Sequence, residues 1–597
     1  MQSCFSSRLA AVSVAVVAVT GGLSPAAFAR SEANPALVHS RLGGYLAARI
    51  AQANNDTTTA AKYYNRVLAL EPGNRRLVLY TFLMEAADGN FDNAVARARQ
   101  LERKSGRRQL SNLWIGVDAF RNKNFAEAER AFRASGSDSV ARLVSRLALA
   151  WTELARGRSR AALRSLTEAD RSEWAEFFAA YRFYASYHRA LIADHAGLNQ
   201  LAIRNFKSVI AKNQRAVRAP LAYARSRAVR GDRPGALAIL RGYVERTGGA
   251  GHPLVTSLSS EIESGRKVTR LVLTPQDGLA EVFYGVGAAI VAQNNKDLLG
   301  AMFLQIALEL RETSPMTIAA LGGLYEQQKR YRRANALYER MPLSSALHDT
   351  VQLRKALNLN QLDLVDEART VLLDKVARRP DSLESWETLA NIMRSRKRYE
   401  EAVEYYSKAI ALLKFDDARH WSLWYGRGAS YERIKKWPLA EKDLLKAKSL
   451  NPNEPFILNY LGYSWVDQDV NLKEGLELIK KAVSMKPKDG YITDSLGWAY
   501  FKLGDYDRAV VHLEKAVQLL PEDPILNDHL GDALWQVGRV REARFQWSLA
   551  LTLKPEPGDA VKIKSKLARG LTPKPISRAA DASRTGDAAA SATPSVR

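Results

Sequence analysis

Cysteine is almost missing from this chain: Cys4 is the single one in 597 residues. A disulfide framework is excluded, and so is any metal site built on paired thiolates. Histidine is also scarce, with eight residues scattered at His39, His188, His195, His252, His348, His420, His512 and His529. His188 and His195 lie two helical turns apart, but no HExxH spacing and no nearby acidic third ligand accompanies them. Neither a GxSxG elbow nor a Walker loop occurs, and no Lys-Ser/Thr step follows Gly43-Gly44 or Gly248-Gly249. Carboxylate pairs such as Glu400-Glu401 fall at the exposed starts of expected helices. No catalytic residue, metal ligand or cofactor is expected. Acidic residues are in deficit, 63 Asp and Glu against 88 Lys and Arg, for a net charge of +25. Such a surplus suits a self-repelling soluble surface as well as an acidic protein, an anionic membrane or polymer, or nucleic acid. Zinc-finger spacing and RNP-like aromatic stretches are both lacking, so nucleic acid is not an expected partner.

Long apolar runs are missing after the first thirty residues. Residues 1–29 read as a secretory signal: Arg8 supplies the positive start, Leu9 to Thr20 the apolar run, and Ala27-Phe28-Ala29 a small-x-small cleavage site. The run is short for a membrane span. Cys4 precedes it, so cleavage leaves no cysteine for lipidation. An exported protein without a transmembrane segment is expected, located in the periplasm of a Gram-negative bacterium.

What the chain does contain is a repeat. Leu496-Gly497 returns as Leu530-Gly531, and Ala509, Ala516 and Pro521 return as Ala543, Ala550 and Pro555, each 34 residues on. Small residues at fixed positions let two helices approach closely, and large ones such as Tyr500, Leu513 and Trp547 fill the space between hairpins. Pro521 and Pro555 punctuate helix ends, and Gly504 and Gly538 suit the turn within each hairpin. Clear units occupy 383–416, 421–454, 455–489, 490–523 and 524–557. The third is one residue longer (497 − 462 = 35), with the insertion near Asp469-Val470-Asn471. Weaker units keep the frame further upstream, through Gly116 with Phe132 and Leu321-Gly322 with Tyr338, for about fourteen in all.

The expected layout is a signal at 1–29, a degenerate Arg-rich repeat arm at 30–250, a connector at 251–278, central degenerate repeats at 279–380, regular repeats at 381–569 and a disordered tail at 570–597. The connector breaks the frame with a Gly-rich start and the β-branched run Val268 to Thr274. Two readings of it stay open, a long inter-repeat loop and a hinge between two arms. Within the basic arm, Arg142, Arg146, Arg156, Arg158 and Arg160 form the candidate patch for an acidic partner or an anionic envelope polymer.

The period and the key residues resemble the tetratricopeptide superfamily. The resemblance implies an all-α fold, a right-handed superhelical solenoid of helix-turn-helix repeats, in which the first helix of each repeat lines the concave face. The inward positions then carry Asn459 and Tyr463, then Asp494, Trp498 and Phe501, then Asp528, Asp532 and Trp535. Rings among amide and carboxyl groups suit an extended or helical peptide. Asn459 and Asp494 sit where some members carry a clamp for a C-terminal carboxylate, but its Lys residues are missing. In plan the chain is similar to bacterial outer-membrane tetratricopeptide lipoproteins that act as adaptors for a periplasmic carboxyl-terminal processing protease, though it lacks their lipidated Cys. The expected function is a non-enzymatic exported scaffold for protein partners, linking such a protease to envelope substrates. The alternative is a scaffold in envelope polysaccharide assembly or export.

Overall fold

The computed structural model describes residues 40–102, 110–136, 139–170, 179–249, 251–293 and 297–571. The signal at 1–29 and the tail beyond 571 lie outside the described residues. Among those described there are helices and turns but no strand. They divide into two compact units, one up to His348 and one from Asp349 onward.

The second unit follows the 34-residue frame. Leu383–Ser395 pairs with Tyr399–Ala411, Trp421–Arg433 with Trp437–Leu450, Pro455–Asp467 with Leu472–Met485, Gly490–Lys502 with Tyr506–Leu519, and Pro524–Gln536 with Val540–Thr552. A last helix, Pro557–Arg569, packs on the final hairpin. Local chemistry sets the helix starts. The Asp489 and Asp523 carboxylates accept from the Ile492 and Ile525 amides at 3.1 and 2.9 Å, and Pro455, Pro524 and Pro557 stand at first helical positions. Each hairpin turns on a left-handed residue. Gly504 (φ 82°) and Gly538 (φ 81°) take that role in the last two, as expected. The inserted residue near Val470 lengthens its turn, which holds two left-handed residues, Asp469 and Asn471.

Close approach within four of the hairpins follows one rule. A Cβ on Gly497 would stand 2.5 Å from Leu513 Cγ, and one on Gly531 2.5 Å from Trp547 Cδ1. Gly322 faces Tyr338 at 2.1 Å and Gly116 faces Phe132 at 2.5 Å. Every pair is 16 residues apart (513 − 497, 547 − 531, 338 − 322, 132 − 116), so these two upstream units share the geometry of the regular ones.

The first unit departs from an open arm. Its hairpins run from Arg41–Ala53 to Arg233–Arg246, followed by Pro253–Glu263. The stretch 251–278, read from the sequence as a connecting loop or a hinge, lies inside this unit. After it come Pro275–Ala292 and Asp297–Leu310, the most apolar helix pair described. That pair lies against the first helices of earlier hairpins: Arg75–Asp88, Asn112–Arg121, Ser139–Ala155 and Ala179–His195. Gly278 meets the Trp151 ring so closely that a Cβ would stand 2.2 Å from it. Tyr184 donates to the Gly285 carbonyl at 2.8 Å, and Arg121 pairs with Glu309 at 2.7 Å. Phe283, Phe303, Leu304 and Ile306 are fully buried, each contributing about 1.5–3 kcal/mol. Beyond the pair, Arg330 reaches the Asn55 carbonyl and Asp56, and Arg333 binds Asp88 and Thr57. The first helices of this arm are therefore covered by the chain's own later hairpin.

Candidate functional site: the inner face of the second unit

In the second unit, Pro455–Asp467 touches Gly490–Lys502, which touches Pro524–Gln536. Successive first helices thus lie side by side and form one continuous face. All eight inward positions read from the sequence occur on these three helices, but in different surroundings.

Trp498 and Phe501 are brought together. Their rings stack at 4.8 Å with planes 9° apart, and Trp498 also stacks on His529 at 4.1 Å and 17°. Phe501 is buried and Trp498 half-buried. Asp494 is buried and holds His529 Nδ1 at 3.0 and 3.1 Å through its two oxygens. Burial alone would push the His529 imidazole down, but the Asp494 carboxylate outweighs it and holds the group above its ordinary value. Trp498 Nε1 reaches the Asp467 carboxylate at 3.4 Å.

Asp467 also borders a cavity of about 400 Å³, walled by Glu432, Arg433, Tyr460, Tyr463 and Ser464 among others. Tyr460 donates to Glu432 at 2.9 Å. Burial pushes the Tyr463 hydroxyl well above its ordinary value, so it remains a neutral donor. Asn459, one turn before Tyr463, is half-buried, and its side-chain oxygen has no hydrogen-bond partner. The cavity and the Trp498 stack are joined through Asp467.

Asp528, Asp532 and Trp535 have partners within the chain. Lys566, on the last helix, stands 2.8 Å from Asp528 and 2.7 Å from Asp532. Asp532 also accepts from Trp547 Nε1 at 2.9 Å. Burial pushes the Asp532 carboxyl up to about 6, against the pull of Lys566. Trp535 packs on Trp547 and donates to the Leu571 carbonyl at 3.0 Å. The sequence reading missed His529 and Lys566. Both signals were present, because Lys566 stands one period after Asp532 (566 − 532 = 34) and His529 follows Asp528 directly.

Of the basic residues, Arg142 and Arg146 lie on Ser139–Ala155, Arg156 and Arg158 in the turn that follows it, and Arg160 on the next helix, Ser159–Asp170. Arg156 pairs with Glu129 at 2.7 Å, Arg158 stands 3.7 Å from Glu153, and Arg160 is exposed. Among the described residues no group of three or more His, Cys, Asp and Glu is arranged to hold a metal, and no helix is long and apolar enough to cross a membrane.

Comparison with known proteins agrees with this geometry. Residues 353–417 match the tetratricopeptide repeat family, and residues 497–538 match a second description of the TPR repeat. A TPR repeat-containing protein of Pseudomonas aeruginosa is 31% identical over 193 residues, 31% of this chain and 30% of that one. The bovine (Bos taurus) BBSome complex member BBS4 is 30% identical over 118 residues, 19% of this chain and 21% of that one. The matches therefore span less than a third of either relative's own length. Among solved structures, the Cut9–Hcn1 hetero-tetramer of the APC/C aligns over 90% of this chain and 98% of that one, at 16% identity and a TM-score of 0.36. Paired helices, a 34-residue frame and the matched repeats lead to one assignment: this chain carries tetratricopeptide repeats, and its described residues form helices and turns.

Proposed function

We propose that the chain is a non-catalytic scaffold that holds protein partners, taking an extended peptide along the inner face of its second unit. One observation carries the reading: the 400 Å³ cavity beside Tyr460 and Tyr463 shares Asp467 with the half-buried Trp498 stack. A strip of rings supplies apolar contact area at small entropic cost, and large rings dominate the energy of such interfaces. The Asp467 carboxylate, which borders the cavity, is an acceptor for a peptide N–H. Those are the two needs of an extended chain, pockets for side chains and partners for its backbone.

The finer reading adds location and partner. The scaffold is exported to the periplasm after removal of residues 1–29, and it links a carboxyl-terminal processing protease to envelope substrates. Support for this part comes from the leader pattern and from the similarity in plan to adaptor lipoproteins. The test is cross-linking from position 463 in intact cells, with wild type and Trp498→Ala compared. Recovery of a processing protease that falls in the variant supports the adaptor reading. Recovery of polysaccharide-assembly proteins in its place would overturn that reading, and equal recovery in both would overturn the groove. N-terminal sequencing of the mature protein checks export; a chain still beginning at Met1 would reject cleavage.

A further inference from the structure

The frame-breaking segment between Glu263 and Pro275 has no regular structure, yet it is firmly held. Arg225 donates to the Thr269 carbonyl at 3.3 Å, and Arg311 donates to the Leu271 carbonyl at 3.4 Å. Segment, helix Arg218–Val229 and the start of helix Pro315–Gln327 enclose a cavity of about 250 Å³ within the first unit. Four arginines line it, Arg218, Arg225, Arg270 and Arg311, and no Asp or Glu does.

The charges around it do not balance pairwise. Arg218 is matched by Glu281, which it binds through Nε at 3.2 Å and through Nη2. Arg270 shares Asp194 with Arg230; its Nε stands 3.5 Å from that carboxylate and is buried with no hydrogen-bond partner. Arg311 Nε stands 3.8 Å from Asp277 Oδ1, while the other oxygen, Oδ2, accepts from the amides of Leu273 and Thr274. Arg225 forms no ion pair among the described residues. Burial, with Arg218 and Arg311 close by, pushes its guanidinium below its ordinary value against the pull of Glu261. Glu261 in turn accepts from Ser257 at 3.1 Å. Even with Glu261 counted, four carboxylates (Glu281, Asp194, Asp277, Glu261) stand against five guanidiniums (Arg218, Arg225, Arg230, Arg270, Arg311). This surplus of positive charge sits on half-buried side chains and favours an anion that answers it.

A second feature has the same sign. The helix Pro315–Gln327 starts at this cavity with Ser314, whose side chain makes no capping bond. The positive end of the helix dipole and its first amides therefore add to the field. Leu221, Leu254, Leu271 and Met316 supply the apolar part of the lining.

We propose that this cavity binds a small organic anion, a carboxylate or phosphate monoester carried on a short apolar stem. The guanidinium forks of Arg225 and Arg270 take the oxygens, as planar donors suit both groups. The leucines and Met316 cover the stem. A volume of 250 Å³ lies at the small end of ligand sites, which restricts the ligand to a compact molecule. The site is independent of the peptide groove, being built wholly from the first unit.

Calorimetric titration of the full chain tests this with hexanoate, hexyl phosphate, inorganic phosphate and hexanol. Binding of hexanoate or hexyl phosphate, with hexanol silent, is the expected result, and which of the two binds tighter names the head group. Inorganic phosphate is expected to bind more weakly than hexyl phosphate, because it leaves the apolar wall uncovered. Arg225→Gln is expected to weaken binding about tenfold or more, the loss of a charged hydrogen bond. Met316→Trp, which fills the cavity and leaves the charges, is expected to exclude the ligand while circular dichroism stays unchanged. Silence of every anion at millimolar concentration, or equal binding by wild type and both variants, would overturn the proposal.

Discussion

Lys566→Met removes the ammonium that ends the inner face of the second unit. Lys566 Nζ stands 2.9 and 2.8 Å from the two oxygens of Asp528 and 2.7 Å from Asp532. Both carboxylates are buried, at 8% and 4% exposure, so water replaces the lost partner poorly. Methionine keeps much of the stem's packing, which isolates the charge. Stranding buried charge by deleting one partner costs about 3–5 kcal/mol. In a repeat array that cost falls on the nearest elements, here Pro557–Arg569 and the last hairpin. Hydrogen exchange is the direct assay: amides of 540–569 lose protection, while those of 383–450 keep theirs. The pH dependence fixes the cause. The folded Asp532 carboxyl titrates at about 6, above its ordinary value, so its contribution is full below about pH 4 and is lost as pH rises through 6. Without Lys566 that carboxyl rises further, so the defect is largest near pH 7.5 and shrinks near pH 5. Unchanged protection at 540–569 near pH 7.5, or a defect that grows on acidification, would refute the account.

Other expectations concern each unit separately. Trp498→Ala, which removes the half-buried ring of the stack, weakens peptide binding by about 2 kcal/mol, roughly thirtyfold, in a fluorescence titration with the cross-linked partner's segment. Gly278→Val forces a side chain into the Trp151 ring and destabilises the first unit by about 1–3 kcal/mol, read as lost amide protection in Ser139–Ala155 with the second unit unaffected. Burial pushes the His188 imidazole down to about 3, so the unfolded chain takes the proton first; stability of the first unit is full above about 6.5 and falls on acidification. His188→Gln, which keeps an acceptor for Trp151 Nε1, flattens that acid limb in urea titrations. Arg333→Met leaves the Asp88 carboxylate, 8% exposed, without its ion-pair partner, costs about 3 kcal/mol, and speeds proteolysis near Asn55.

The hairpins were legible in the sequence because their determinants are local. A left-handed glycine at 504 or 538, an N-capping Asp at 489 or 523, and a Gly-to-large pair 16 residues apart all act within one repeat, and the period displays them. The three helices carrying the inner face followed from the same frame. Which inner positions stay open did not. Asp528, Asp532 and Trp535 occupy the same register as Asp494, Trp498 and Phe501, but Lys566 on the last helix and the Leu571 carbonyl just beyond it answer them. The same limit applies upstream, where an arginine count describes composition and says nothing about pairing with Glu129 or Glu153. Sequence alone determined the repeat, its helices and their close contacts, since those forces span at most a few turns. Only the tertiary structure decided that Pro275–Leu310 covers the first helices of its own arm and that four arginines meet at one cavity, because those contacts join residues far apart along the chain and no period encodes them.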